Sequence, residues 1–190
     1  GGGGNKRLPS DDPSSLPAHF FTEASLRPKP KKPGFIRSWL NGMMETSLKK
    51  ASKDEFERDE FIEGCTIAFE QIMERFTDNS TDGFEHFMTE RVHVAFKESL
   101  EAYSEAGVVC DYASRPVISA EIMSVNIERD NEKNRDFAWI DVQFVNEQRI
   151  SLRDTTGRVV GREGEWVLKP SVWRFTSPLP HLKWVLSDIP

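Results

Sequence analysis

A chain of 190 residues, 37% hydrophobic and 29% charged with 13 Phe and 5 Trp, has room for one core plus an extension and is too aromatic to be disordered throughout. Up to Lys53 it carries 10 Lys and Arg against 4 Asp and Glu, whereas the remainder carries 15 against 27, so a basic arm precedes an acidic body. That asymmetry directs phosphate, of RNA or of lipid headgroups, to the arm and argues against a body that coats nucleic acid.

No run approaches the roughly 18 apolar residues that cross a bilayer, and no signal-peptide core is visible, so the expectation is a soluble or membrane-peripheral protein. Gly1 to Gly4 reads as a tag remnant or a trimmed end. Cys65 and Cys110 are the two cysteines; the first falls on an apolar helical face, where a free thiol acts as a small hydrophobe, in keeping with a reducing compartment.

Pro9, Pro13, Pro17, Pro28, Pro30 and Pro33 each remove a donor and restrict the preceding residue, so residues 1–34 read as an extended arm. Its most basic point is Lys29-Pro30-Lys31-Lys32-Pro33. Such an arm is a solvated linker or a segment that orders on a partner. The next stretch, FIRSWLNGMMETSLKK, places Phe35, Trp39 and Met43 on one helical stripe with Ile36, Leu40, Met44 and Leu48 beside it. Residues 35–53 therefore read as an amphipathic helix with basic ends, suited to a membrane interface or to a protein groove. Phe35, Ile36, Trp39, Leu40 and Met43 are the expected lipid or partner contacts, and Lys29, Lys31, Lys32 and Arg37 the expected phosphate contacts. Gly42 weakens this helix by about 1 kcal/mol relative to Ala.

A body over residues 54–190 follows. Phe61, Ile62, Cys65, Ala68, Phe69, Ile72, Met73 and Phe76 recur at three- and four-residue spacing, which predicts a core helix with acidic residues at its start. The polar run from Asp78 to Gly83 ends it, and a short helix is expected around Phe84 to Met88. Thr89 is placed to cap a further helix with the stripe Val92, Phe96, Leu100 and Tyr103, which Gly107 stops.

After Pro116 the period changes to two, giving a first strand that runs through Ile118, Ala120 and Ile122 and, past a bulge, Met123, Val125 and Ile127. Asp130 to Asn134 is a turn, and Phe137 to Arg153 a long strand. Thr155-Thr156-Gly157 reads as a hairpin turn, with Trp166 to Thr176 and Leu182 to Ile189 completing an antiparallel meander. Pro170 confines part of its strand to an edge or a bulge. Helices followed by an antiparallel sheet define an α+β fold, with N-terminal helices packed on a curved sheet.

The sequence has no phosphate-cradling glycine motif, no Cys-x-x-Cys and no His-Glu-x-x-His, so no nucleotide, metal or other cofactor is expected. His19, His86, His93 and His181 are scattered over arm, helices and a turn. The best candidate acid or base is Asp141, flanked on its face by Trp139 and Gln143. It would serve a small isomerase or lyase if it entered a pocket, but alternation puts it opposite Ile140 and Val142, toward solvent.

Three segments in order, DEFERDEFIEGCTIAFEQI (Asp54 to Ile72), ISLRDTTGRVVGREGEW (Ile150 to Trp166) and KWVLSDI (Lys183 to Ile189), resemble the first helix, long hairpin and closing strand of the mitochondrial Tim44-like domain family. The resemblance implies a cystatin-like or nuclear-transport-factor-like cone without catalysis, in the mitochondrial matrix and peripheral to the inner membrane. It implies attachment to a large assembly: the mitochondrial large ribosomal subunit is favoured, because a short Pro/Lys arm stands where the import-motor anchor has a long charged helical region. A protein-import translocase and a membrane protease are the alternatives. Anionic inner-membrane lipid and rRNA, the latter through the arm, are the further partners expected.

Overall fold

The computed structural model describes residues 30–161 and 163–190; Lys29, His19 and the rest of the arm lie outside the described residues. Helices α1 (Phe35–Ala51), α2 (Arg58–Thr77) and α3 (Glu90–Glu105), with a short 3₁₀ helix (Phe84–His86) between the last two, precede five strands, β1 (Val108–Ser114), β2 (Ser119–Asp130), β3 (Arg135–Asp154), β4 (Val167–Pro178) and β5 (Val185–Asp188). All strand pairs are antiparallel, and three helices packed on the curled sheet form a half-barrel. The α+β class expected from the order of periodicities is the one observed.

Strand β3 organises the sheet. On one side it pairs with β4 from Phe137↔Pro178 to Gln148↔Val167, and β5 adds to β4 at Arg174, Phe175 and Thr176. On its other side it pairs first with β2, from Asp130↔Arg135 to Ser119↔Val145, and then with β1, from Ser114↔Gln148 to Val108↔Asp154. Strands β1 and β2 are thus two halves of one kinked strand, broken at Arg115 to Ile118. The amides of Arg115 and Ile118 bond the Glu147 and Val145 carbonyls at 3.0 and 2.8 Å, so more residues on one side face fewer on the other, and the sheet bends there.

A kink of this kind orphans backbone groups, and two side chains take them up. Asn146 donates through Nδ2 to Ser114 Oγ (2.8 Å) and to the Arg115 carbonyl (2.7 Å), while Glu70 of α2 accepts the Val117 amide at 2.8 Å. Replacing Glu70 by alanine is expected to lower stability by about 1 kcal/mol or more, because the Val117 N–H loses its partner; urea unfolding measures it, and an unchanged midpoint would show the amide finding water instead. The expected β2 bulge is present too, as a register shift between Ile122 and Ser124.

The first strand lies earlier than expected. Val108 follows Gly107, whose φ of +72° ends the α3 segment, and Val108, Cys110 and Tyr112 turn inward. The turn at Thr155 to Gly157 does not lead directly into a strand: Arg153 bridges Val159, and β4 begins only at Val167. The intervening chain lies so close to β3 that a Cβ on Gly164 would overlap the Ile150 carbonyl. Thr89 occupies the N-cap position of α3, but its side chain makes no capping bond. Its amide instead bonds the Leu186 carbonyl at 2.9 Å, while the Leu186 amide bonds the Phe87 carbonyl at 2.8 Å, closing the outer edge of β5.

The core lies between α2 and the concave face. Inward positions of β3 (Ala138, Ile140, Val142, Phe144) and β4 (Trp173, Phe175) meet Phe61, Cys65, Phe69, Ile72, Met73 and Phe76. The Phe69 ring lies 4.5 Å from both Phe144 and Trp173. Phe76 continues the packing to Phe96 of α3 at 5.5 Å and Tyr112 of β1 at 6.2 Å.

Candidate functional site

Helix α1 is covered over only part of its length. Asn41, Met44 and Leu48 face the body, and Asn41 Nδ2 bonds the carbonyl of Met123, the residue inside the β2 bulge, at 3.1 Å. Glu45 pairs with Arg58 at 2.6 Å. The bulge thus supplies an unpaired carbonyl, and the sequence supplies an amide to meet it.

The start of the helix is bare. Phe35 is 89% exposed and Trp39 60%, and Ile36, Leu40 and Met43 are exposed beside them, one contiguous apolar surface at four- and three-residue spacing. Lys31, Lys32 and Arg37 are exposed around it, and no acidic residue occurs between Pro30 and Met44. Phe35, Ile36, Trp39, Leu40 and Met43 are exposed together, with Lys31, Lys32 and Arg37 exposed in the same stretch of chain; Lys29 lies outside the described residues.

The chain before the helix is held by Gln143, which the sequence marks only as a neighbour of Asp141. The buried Gln143, on the convex face of β3, accepts the Lys31 amide at 3.1 Å and donates to the Lys31 carbonyl at 2.8 Å. Its side-chain amide matches backbone with backbone-like chemistry across 112 positions. The only sequence signal is an amide residue among outward positions of a long strand.

Asp141 is not open to solvent as expected. It lies on the convex face, but its side chain is only 13% exposed and takes both Nε (2.8 Å) and Nη2 (3.0 Å) of Arg174. Arg174 in turn stacks 3.9 Å above the Trp139 ring. A carboxylate engaged through both oxygens outside the concave face has no substrate to serve, which removes the isomerase or lyase reading built on it. The histidines do not converge: His86 stands 3.7 Å from Glu85, His93 packs by the Phe84 ring, and His181 bonds Glu55 at 3.0 Å. Among the described residues no three His, Cys, Asp or Glu side chains could hold a metal together, and no helix is long and apolar enough to cross a membrane.

Two interior features remain. At one end of the concave face Tyr112 and Gln148 are hydrogen-bonded, Gln148 donates to Asn146 Oδ1 at 2.7 Å, and Lys169 of β4 pairs across from Asn146, its amine pushed down to about 7 by burial. A lysine at an inward position of a period-two strand was the overlooked signal. At the opposite side, an apolar pocket of about 270 Å³ opens between α2 and the 3₁₀ segment, lined by Phe61, Cys65, Ala68, Phe87, Phe175 and Trp184, with Glu60 and His86 also facing it. Burial pushes the Cys65 thiol up to about 12, so it is a wall of the pocket and not a nucleophile.

A family model described as the Tim44-like domain matches residues 46–189. The chain belongs to the Tim44-like domain family. The match covers the half-barrel and the packed end of α1, while the bare start of the helix precedes it. No curated protein matches the chain. Among solved structures it is similar to the intermembrane space region of the chloroplast protein ARC6, with 11% identity, a TM-score of 0.42, and coverage of 67% of this chain and 92% of that one. Tim44-like domains are generally non-catalytic, interact with membranes and with protein partners in mitochondria, and serve membrane-associated tethering or import-related roles. The Tim44-like chain described here shares that membrane-associated, mitochondrial setting.

Proposed function

We propose that this Tim44-like protein is a non-catalytic tether at the matrix face of the mitochondrial inner membrane and a component of the mitochondrial large ribosomal subunit. The observation that carries the membrane part is the bare start of α1, in which Phe35, Ile36, Trp39, Leu40 and Met43 are exposed within a stretch that has Lys31, Lys32 and Arg37 and no acid. Aromatic and aliphatic side chains enter the headgroup boundary, and cations beside them meet lipid phosphate, each adding about 1 kcal/mol at an anionic surface. The acidic body would be repelled from the same surface, so contact is confined to the arm and the helix start. The Gln143 clasp holds Lys31 against the sheet, which gives that contact a fixed direction relative to the body.

The ribosomal part rests on the basic, proline-interrupted arm, in which Lys29, Lys31 and Lys32 suit a phosphate backbone. Flotation with vesicles of anionic lipid should retain the full chain at low salt and release it as salt rises. Phe35→Ser with Trp39→Ser should weaken retention at least tenfold without unfolding the protein, both positions being exposed. Neutral vesicles retaining the protein equally would remove the phosphate role. Crosslinking in intact mitochondria tests the assembly: dominant contacts with translocase or protease subunits would replace the ribosomal assignment.

A further inference from the structure

Among the described residues, the start of α1 and the pocket beside α2 are both apolar and face water, and the charged residues near them differ in sign. Glu60 and His86 line the α2 pocket, and the chain beside them is acidic and exposed, with Glu57 at the N-cap of α2, Asp59 and Glu63 on its first turns and Glu85 on the 3₁₀ segment. Arg58, the one cation in that run of α2, is engaged by Glu45. The start of α1 presents aromatic side chains with Lys31, Lys32 and Arg37 and no acid. Pockets that take drug-sized molecules span roughly 300–1,000 Å³; at about 270 Å³ this one suits a single large side chain. Its wall is open at Gly64, where an added Cβ would meet nothing within 4 Å, and Ile67 stands half-exposed at its lip.

We propose that, away from the membrane, the start of α1 in one copy docks by Trp39 into the α2 pocket of a second copy. The inference rests on the reading of the α1 start as an apolar contact surface. Soluble proteins rarely leave contiguous apolar patches in water, and a neighbouring molecule of the same chain offers both the recess and the complementary charge. A single aromatic anchor in a pocket can dominate a small interface, and one side chain in a recess of about 270 Å³ is a small contact beside the roughly 1,200–2,000 Å² buried in stable complexes. The association is therefore weak and concentration-dependent. Because the same side chains cannot occupy the pocket and the lipid at once, an anionic surface separates the copies.

The test uses the full chain in two single variants, Met43→Cys, one turn from Trp39 so that the anchor is kept, and Ile67→Cys at the lip of the pocket, mixed and oxidised. Cys110 is buried, and Cys65, which is a wall of the pocket, is replaced by alanine in both variants so that only the introduced thiols can pair. A disulfide-linked pair carrying one of each variant is expected, and its yield should fall when anionic vesicles are added. In sedimentation velocity, Trp39→Ser, and separately Gly64→Leu to fill the recess, should each weaken self-association at least tenfold. A wild-type chain that stays monomeric at every concentration reached, or a dimer indifferent to both substitutions, overturns the proposal. The outcomes separate it from the membrane reading: a monomer that still floats with vesicles sinks only the docking, and a Trp39-dependent dimer that never floats sinks only the membrane contact.

Discussion

Replacing Phe69 by alanine is expected to cost about 3–5 kcal/mol of folding stability. Phe69 is fully buried at the middle of α2, its ring stacked on Phe144 at 4.5 Å and 25° and tilted against Trp173 at the same distance. Those two rings belong to neighbouring strands whose backbones are bonded to each other, at Val142↔Trp173 and Phe144↔Ser171, so they cannot close on the void. The loss therefore includes the unfilled cavity as well as the transferred ring. Phe61 makes a useful contrast, because it lines the pocket and one side of it already borders open space. Phe61→Ala should cost less than Phe69→Ala in the same chemical denaturation experiment. Equal losses would mean that the pocket wall is as closed as the core, and a Phe69→Ala loss under about 1 kcal/mol would show the sheet relaxing into the gap.

The second expectation is a stability maximum on the alkaline side of neutrality. Lys169 titrates near 7 in the folded chain because its amine is buried, against about 10.4 when unfolded. Above pH 7 the unfolded chain keeps a proton that the folded chain has released, so stability rises with pH, at no more than about 1.4 kcal/mol per unit. Cys65 and Cys110 act in the opposite sense. Burial pushes each up to about 12, so above about 8.5 the unfolded thiols ionise while the folded ones hold their protons, and stability falls. The two trends cross between roughly pH 8 and 9. Lys169→Met should remove the rising limb and leave the falling one, which denaturation midpoints across that range would show. A rising limb that survives the substitution assigns it to another group.

Much of this architecture was legible in local spacing. The stripe from Phe61 to Phe76 marked α2 and its buried side, and the slip of alternation after Ile122 marked the bulge, because both depend on neighbours within a few residues. β1 was hidden because its alternating Val108, Cys110 and Tyr112 begin directly at a helix stop and end at the Arg115–Ile118 kink, too short a run to stand out. The seven apolar positions of α1 were visible, but their division into a packed half and a bare half depends on the Met123 carbonyl and on where the sheet edge runs. Gln143 meets Lys31 across 112 positions, and the pocket draws on α2, the 3₁₀ segment, β4 and Trp184. No periodicity carries such pairings, since each is a property of the assembled layers.

The place where the arm joins the body has a mechanical meaning. In the proposed tethering role the chain ahead of α1 carries tension, and among the described residues the first attachment to the sheet is Lys31, whose backbone is held by Gln143 in the middle of β3. β3 is the strand with bonded neighbours on both sides over much of its length, so load entering there is shared across the sheet. The two Gln143 bonds are the first to meet that load, and behind them Asn41, the Glu45–Arg58 pair and the buried Leu48 hold α1. Slack would then be released in short steps while the half-barrel stayed whole; in the proposed tethering role, that lets the two attached bodies shift against each other without unfolding the domain between them.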